Sequence, residues 1–336
     1  MIHRSGRLLE FDLRRGSGHF AKYQANVGPF LKVVDVSIIS ICLIARGFRY
    51  YLFVSLQVVG VITRAICFPF DLFGNPGAKA GAELLGDAIK ELLADNRRET
   101  VPTRARAYAN KVRVGEHGFT TLDDYRDWRA AGRTLIRKSL DAGEFLFWIA
   151  GNHLGALPLY DELAGTRDDT IIVQLDAHLD IYNLSDCTTD LSHGNFLLHA
   201  ENPIPRVVNV GHRELLLRPD HIAKYYDATI SAVEFNRDES AALTRLSDLC
   251  SSAERVFLDL DCDFFDPAYF PATAQGRPFG LAPLVIPKLL AAIGMQRLAG
   301  FAISEFDPAR EAGDRCLETL MWLIEWVLLA KYEKTV

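Results

Sequence analysis

The sequence predicts an α/β protein, built on a mainly parallel β-sheet with helices on both faces. Three observations carry this. From Thr63 onward, short apolar runs alternate with segments of helical spacing, the pattern of repeated βαβ units. Several of those runs end in polar, metal-capable residues, and ligands of such sheets bind beyond the carboxyl ends of the strands. The chain has 336 residues, 49% hydrophobic and 24% charged, which is long enough and apolar enough for one large α/β domain or two small ones.

Residues 1–60 stand outside the pattern. "MIHRSGRLLEFDLRRGSGHF" carries arginines, but no apolar core follows directly, so no secretory signal is expected. Phe30 to Phe70 is strongly apolar, yet Asp35, Arg46, Arg49 and Arg64 interrupt it, so it lacks the roughly 20 clean residues of a membrane helix. Its β-branched and aromatic content suits buried strands or a packed hairpin.

The regular part then reads in order. "AICFPFDLFG" is a short strand running into a loop at Pro69 to Pro76. "AGAELLGDAIKELLADN" has helical spacing at Leu84, Leu85, Ile89, Leu92 and Leu93. Arg97 to Arg106 reads as a charged loop. "TLDDYRDWRAAGRTLIRKSLDAG" is a second amphipathic helix, with Thr121 as N-cap and Gly143 as stop. "EFLFWIAGNH" and "TIIVQLDAHLD" are apolar strands ending in polar turns, with the short helix "LPLYDELAG" between them. "RVVNVGHRE", "ATISAVEF", "RVFLDLDCDFFDP" and "LAGFAISEFDP" repeat the strand plan, and "PLVIPKLLAAIG" and "LETLMWLIEWVLLAKYE" are helical. No internal repeat, low-complexity tract or linker follows Thr63, so residues 61–336 read as one domain.

A net charge of −6 and a pI of about 5.9 argue against a general nucleic-acid surface. The six cysteines (Cys42, Cys67, Cys187, Cys250, Cys262, Cys316) are widely spaced without a CxxC, which favours thiols in a reducing compartment over disulfides or a zinc site.

The chemistry concentrates at the strand ends. His153 follows "FLFWIAGN"; Asp176, His178 and Asp180 follow "IIVQL"; Asp261 and Asp263 follow "VFLDL"; Glu305 follows "GFAIS". Along a strand, Asp259, Asp261 and Asp263 would share one face. Three buried carboxylates cannot all ionise without a partner. In "DAHLD", Asp176 and His178 would share a strand face while Asp180 enters the loop. Carboxylate and imidazole together suit Mn, Fe, Co or Zn. A capped loop end accounts for any one of these residues, but not for the set. Alternation alone leaves either Asp259 and Asp261 or Asp261 and Asp263 as the ligand pair.

"GNH", "DAHLD", "SHG", "DCDFFDP…PAT…GRPFGL" and "SEFDP" resemble, in order, the motif series of the ureohydrolases, the arginases and agmatinases. The resemblance runs from about Ile66 to Pro308. It implies a three-layer α/β/α fold and a site for two Mn2+ ions. It implies that His153 and Asp180 bind the first ion and His178 and Asp263 the second, with Asp176 and Asp261 bridging. A water between the ions, its pKa lowered, would attack the guanidinium carbon. Glu305 would pair with the guanidinium and His193 would protonate the leaving amine. Asn152 stands where the family has an Asp. The spacing to Asp266-Pro267 and to Pro271 selects Asp261 and Asp263 as ligands. Asp259 then needs its own partner: a backbone N–H, a ligand histidine or a proton.

Free-arginine enzymes of the family hold the substrate's α-carboxylate and α-amine. Here Tyr182 replaces the expected Asn, and Leu216 falls where an acid would bind the amine. "LDLDCDFF", "SHGNFL" and "ISEFDPARE…LMWLIEWVLL" are similar to the peptide arginases of ribosomal-peptide biosynthetic clusters, which convert arginine residues of a precursor peptide to ornithine. The expected enzyme is therefore a cytoplasmic ureohydrolase acting on an arginine-containing precursor peptide, with residues 1–60 placed to help dock it. A small guanidine such as agmatine is the alternative substrate. A metal-dependent deacetylase of the same fold and a non-catalytic binding protein are the alternatives from other classes. Family members are often trimers or hexamers, which leaves a homo-oligomer open.

Overall fold

The computed structural model describes residues 36–46, 49–58, 62–185 and 187–333, the first two stretches as backbone. The chain divides into residues 1–61 and 62–336. In the first unit, β1 (Val36–Arg46) pairs antiparallel with β2 (Arg49–Val58), placing Arg46 opposite Arg49. The apolar segment thus forms strands; the expectation that its side chains are buried, and residues 1–35 altogether, lie outside the described residues.

The second unit carries a single parallel sheet of β3 (Thr63–Phe68), β4 (Val112–Glu116), β5 (Phe145–Ala150), β6 (Thr170–Leu175), β7 (Arg206–Val210), β8 (Ala228–Ile230), β9 (Arg255–Asp261) and β10 (Leu298–Ser304). Their order is β4-β3-β5-β10-β9-β6-β7-β8. Side chains of each strand alternate between two cores. Phe145, Phe147 and Ile149 join the core under α1 (Ala78–Arg98), while Leu146, Trp148 and Ala150 join the opposite one. The first core also takes α7 (Glu239–Ser251), α8 (Val285–Ile293) and α9 (Arg315–Tyr332). The second takes α3 (Trp128–Asp141) and α4 (Leu157–Glu162). Helices on both faces of one sheet make the three layers. Each fully buried Phe or Leu in these cores contributes roughly 1.5–3 kcal/mol. No helix among the described residues is long and apolar enough to cross a membrane.

Several local expectations are corrected. Arg97 to Arg106 is not all loop: α1 runs to Arg98, and Arg104–Ala107 forms a 3-10 turn. The second amphipathic helix is broken in two. Thr121 does cap α2 (Leu122–Arg126), in a reciprocal box with Asp124, but Asp127 leaves helical geometry before α3 begins. "ATISAVEF" is strand only to Ile230; Ser231 then caps α6 (Ala232–Arg237), because Glu234 three residues on completes a capping box. The remaining short helix is α5 (Pro219–Ile222). Strand β4 was not expected: as an edge strand it has one fully buried residue, Val112, and no long apolar run.

The candidate metal centre

The sheet order decides the site. The neighbours β5, β10, β9 and β6 deliver His153, Glu305, Asp261 with Asp263, and Asp176 with His178 and Asp180 to one edge, side by side. All are buried.

The delivery is not by strand alternation, as the sequence suggested. β6 ends at Leu175, so Asp176 and His178 lie on the turn beyond it. There the Asp176 Oδ1 accepts the His178 N–H at 2.6 Å. Likewise β9 ends at Asp261, whose Oδ1 accepts the Asp263 N–H at 2.9 Å and starts a 3-10 turn, Cys262–Phe264. Asp263 therefore arrives on a turn. Its own Oδ1 accepts the Ala177 N–H at 3.1 Å, tying the two strand ends together. Gly151 allows β5 to close on the neighbouring loop: a Cβ there would stand 2.1 Å from the Phe70 carbonyl oxygen.

Two groups of donor atoms result, sharing Asp176: His153, Asp176 and Asp261, and Asp176, His178 and Asp263. The His153 Nδ1 lies 2.8 Å from Asp180 Oδ2, 3.2 Å from Asp176 Oδ2 and 3.2 Å from Asp261 Oδ2. Despite that proximity, His153 Nδ1 and Asp176 Oδ2 are buried without a hydrogen bond. His178 Nδ1 lies 3.0 Å from Asp263 Oδ2. Burial, then Asp263 and Asp176, push the Asp261 carboxyl well above the usual range. Burial and Asp176 raise Asp180 to about 6. Unpaired donors converging from several carboxylates that repel one another, with two imidazoles, form a set that divalent cations satisfy and relieve.

Of the partners open to it, Asp259 finds a histidine, His153. It sits on β9 facing the α4 layer, where its Oδ2 lies 3.0 Å from His153 Nε2 and accepts the Tyr160 hydroxyl at 2.6 Å. Holding the ring proton on Nε2 leaves the Nδ1 lone pair facing the cluster. If the cluster holds a divalent cation, Asp259→Asn is expected to weaken its binding by about 10–100-fold, the range for outer partners of ligands, with the fold retained. Calorimetric titration of Mn2+ checks it; unchanged affinity would show that Asp259 does not set the ring.

Glu305 and His193 form the adjoining unit. The Glu305 Oε1 accepts the His153 N–H at 2.8 Å and lies 3.0 Å from His193 Nδ1. Burial disfavours charge on His193, but the Glu305 carboxylate outweighs it, and the imidazole pKa ends above its usual value of 6.5. Asn152 turns away from the cluster: its Nδ2 donates to the Leu72 carbonyl at 2.9 Å.

Over this floor opens a cleft of about 720 Å³. Its wall holds Tyr182, whose hydroxyl donates to Glu214 Oε2 at 2.8 Å. Glu214 Oε1 also takes the N–H groups of Leu216 and Leu217. At the mouth stand Phe73, Leu215 and Leu216, the two leucines 94% and 76% exposed. Four non-glycine residues in the described chain have left-handed backbone, and three of them line the cleft: Phe73 (φ 59°), Asp180 (φ 49°) and Glu305 (φ 59°). Such conformations cost roughly 1–3 kcal/mol each and gather at functional sites.

Sequence reasoning missed Tyr160, Glu214, Arg213 and Arg277 as parts of this site. The first lies on a helix with no special spacing, and the arginine of "GRPFGL" has no role in the motif series.

A profile of the Arginase family matches residues 63–329. Relatives include the agmatinase of Proteus mirabilis, 24% identical over 73% of this chain and 79% of that protein. The N(1)-aminopropylagmatine ureohydrolase of Thermus thermophilus is 26% identical over 71% and 80%. Among solved structures, Bacillus subtilis arginase superposes with a TM-score of 0.65 at 20% identity, covering 82% of this chain and 99% of that one. The agmatine ureohydrolase of Thermoplasma volcanium gives 0.65 at 19% identity, over 81% and 89%. With that match over most of its length, on a sheet of the arginase-like α/β fold, the chain belongs to the arginase family and is a ureohydrolase.

Proposed function

We propose that this ureohydrolase is manganese-dependent and converts arginine residues of a peptide to ornithine, releasing urea. The observation that carries the reading is how the cleft's acids are used. Asp180, Asp261 and Asp263 belong to the metal cluster, Glu305 faces His193, and Glu214 is taken up by Tyr182 and two backbone N–H groups. Among the described residues that line the cleft, no other acid remains to pair with the amine of agmatine or of free arginine. The position expected to do so is Leu216, which presents an exposed apolar side chain beside Leu215 and Phe73. An uncharged main chain flanking the arginine fits such a mouth.

His153 and Asp180 would hold one ion, His178 and Asp263 the other, and Asp176 and Asp261 would lie between. A pair of such ions supplies Lewis acidity and lowers the pKa of water towards neutrality. Glu305 pairs with the substrate guanidinium through a charge-assisted contact and fixes its orientation. His193, protonated and held by Glu305 at Nδ1, hands the Nε2 proton to the departing ornithine amine.

The agmatinases among the relatives favour a second reading, a small guanidine substrate. Mass spectrometry after incubation with Mn2+ separates the two. Peptide arginines are expected to lose one CH2N2 unit each with stoichiometric urea. Turnover of agmatine with every peptide untouched would replace the first reading by the second.

A further inference from the structure

We infer that Arg277 binds a carboxylate of the substrate, so that the guanidines this enzyme prefers carry an anionic group close to the reacting one. This rests on the ureohydrolase assignment and deepens the peptide reading.

Two arginines line the cleft among its described residues, Arg213 and Arg277. Arg213 is spent on the scaffold. Its Nη1 donates to the carbonyls of Gly211 and Phe264, and its Nη2 to those of Asp263 and Arg277. Arg277 is different. Among the described residues no carboxylate pairs with it, and its side chain reaches inward until Nε donates to His178 Nε2 at 2.9 Å. That contact requires a lone pair on Nε2. A His178 that gives its Nδ1 lone pair to a cation carries the ring proton on Nε2 and no longer accepts. The guanidinium is then left to an acceptor entering the cleft.

The backbone beneath it is fixed. Arg213 holds the Arg277 carbonyl at 3.0 Å, Pro278 restricts the peptide on either side, and Asp266 Oδ2 takes the Gly280 N–H at 2.9 Å. An anchored loop bearing a planar, permanently charged fork suits bidentate recognition of a carboxylate. The same charge repels an amine, which agrees with the absence of an unspent acid at Leu216.

The carboxylate can come from an acidic neighbour in the peptide, from a C-terminal arginine, or from a small ω-guanidino acid. The test uses the Mn2+-loaded full chain. Its substrates are capped pentapeptides in which Arg is followed by Glu, Gln or Lys, a peptide ending in free-acid Arg, 4-guanidinobutanoate and agmatine. At least one acid-bearing substrate is expected to exceed its neutral or cationic counterpart by about tenfold or more in kcat/KM, through KM, as for a charge-assisted hydrogen bond. Which arm shows the preference identifies the source. R277Q is expected to bring that ratio to about one and R277E to reverse it. Calorimetry with the matching ornithine peptides is expected to show the same preference without turnover. Equal rates for acidic and neutral substrates in the wild type, or a preference that survives in R277Q, overturns the proposal. If no peptide reacts, the peptide reading fails, while 4-guanidinobutanoate against agmatine still decides Arg277.

Discussion

Asp176→Ala is expected to remove the metal ions and the activity together. Both oxygens of this side chain are in use: Oδ1 accepts the His178 N–H, and Oδ2 faces His153 Nδ1 without a hydrogen bond. It is also the residue common to both donor groups. Its loss therefore takes a ligand from two sites at once and unties the turn that aims His178. Turnover should fall to background, and metal analysis after gel filtration should find neither ion retained. Asp176→Asn, which keeps an acceptor for the His178 N–H, separates the charge from the turn; it should fold normally and still lose metal. Two tightly bound ions in Asp176→Ala would show that the cluster is assembled differently.

His193→Ala should instead keep both ions and slow the reaction by about 10²–10⁴-fold, as for a lost general acid. Its pH dependence gives a second reading. A proton donor must be charged to act, and Glu305 raises the His193 pKa against the effect of burial. The wild-type kcat/KM should therefore persist through the ordinary histidine range and fall only as pH passes the raised pKa. In His193→Ala that alkaline limb should vanish from the residual activity. A variant that retains the limb, or that loses metal, would remove His193 from the proton-donor role.

What could be read from the sequence was whatever depends on local pattern. Apolar runs and helical spacing located seven of the eight strands of the main sheet and its long helices; the miss, β4, is an edge strand with little to bury. Of the residues that converge on the cleft, His153, Asp176, His178, Asp180, Asp261, Asp263 and Glu305 were legible as well, because each ends or closely follows a buried strand, whereas His193, on a loop, came only from the family resemblance. Their geometry was not. Alternation placed Asp263 and His178 on strands, whereas the carboxylates of Asp261 and Asp176 capture the next N–H groups and turn the chain. Strand order, which sets β10 between β5 and β9, is a long-range property that no window reveals. The same holds for Tyr160 and Asp259, which meet across a sheet face and 99 residues of sequence.

The three left-handed residues around the cleft bear on any attempt to redesign this protein. Glycine would fit each of those backbone conformations with less strain than Phe73, Asp180 or Glu305. A redesign guided by folding stability alone would favour the exchange and, at Asp180 and Glu305, would erase a proposed ion ligand and the group that faces His193. In this chain Asp180 and Glu305, positions that most invite optimisation for stability, are the ones to leave untouched.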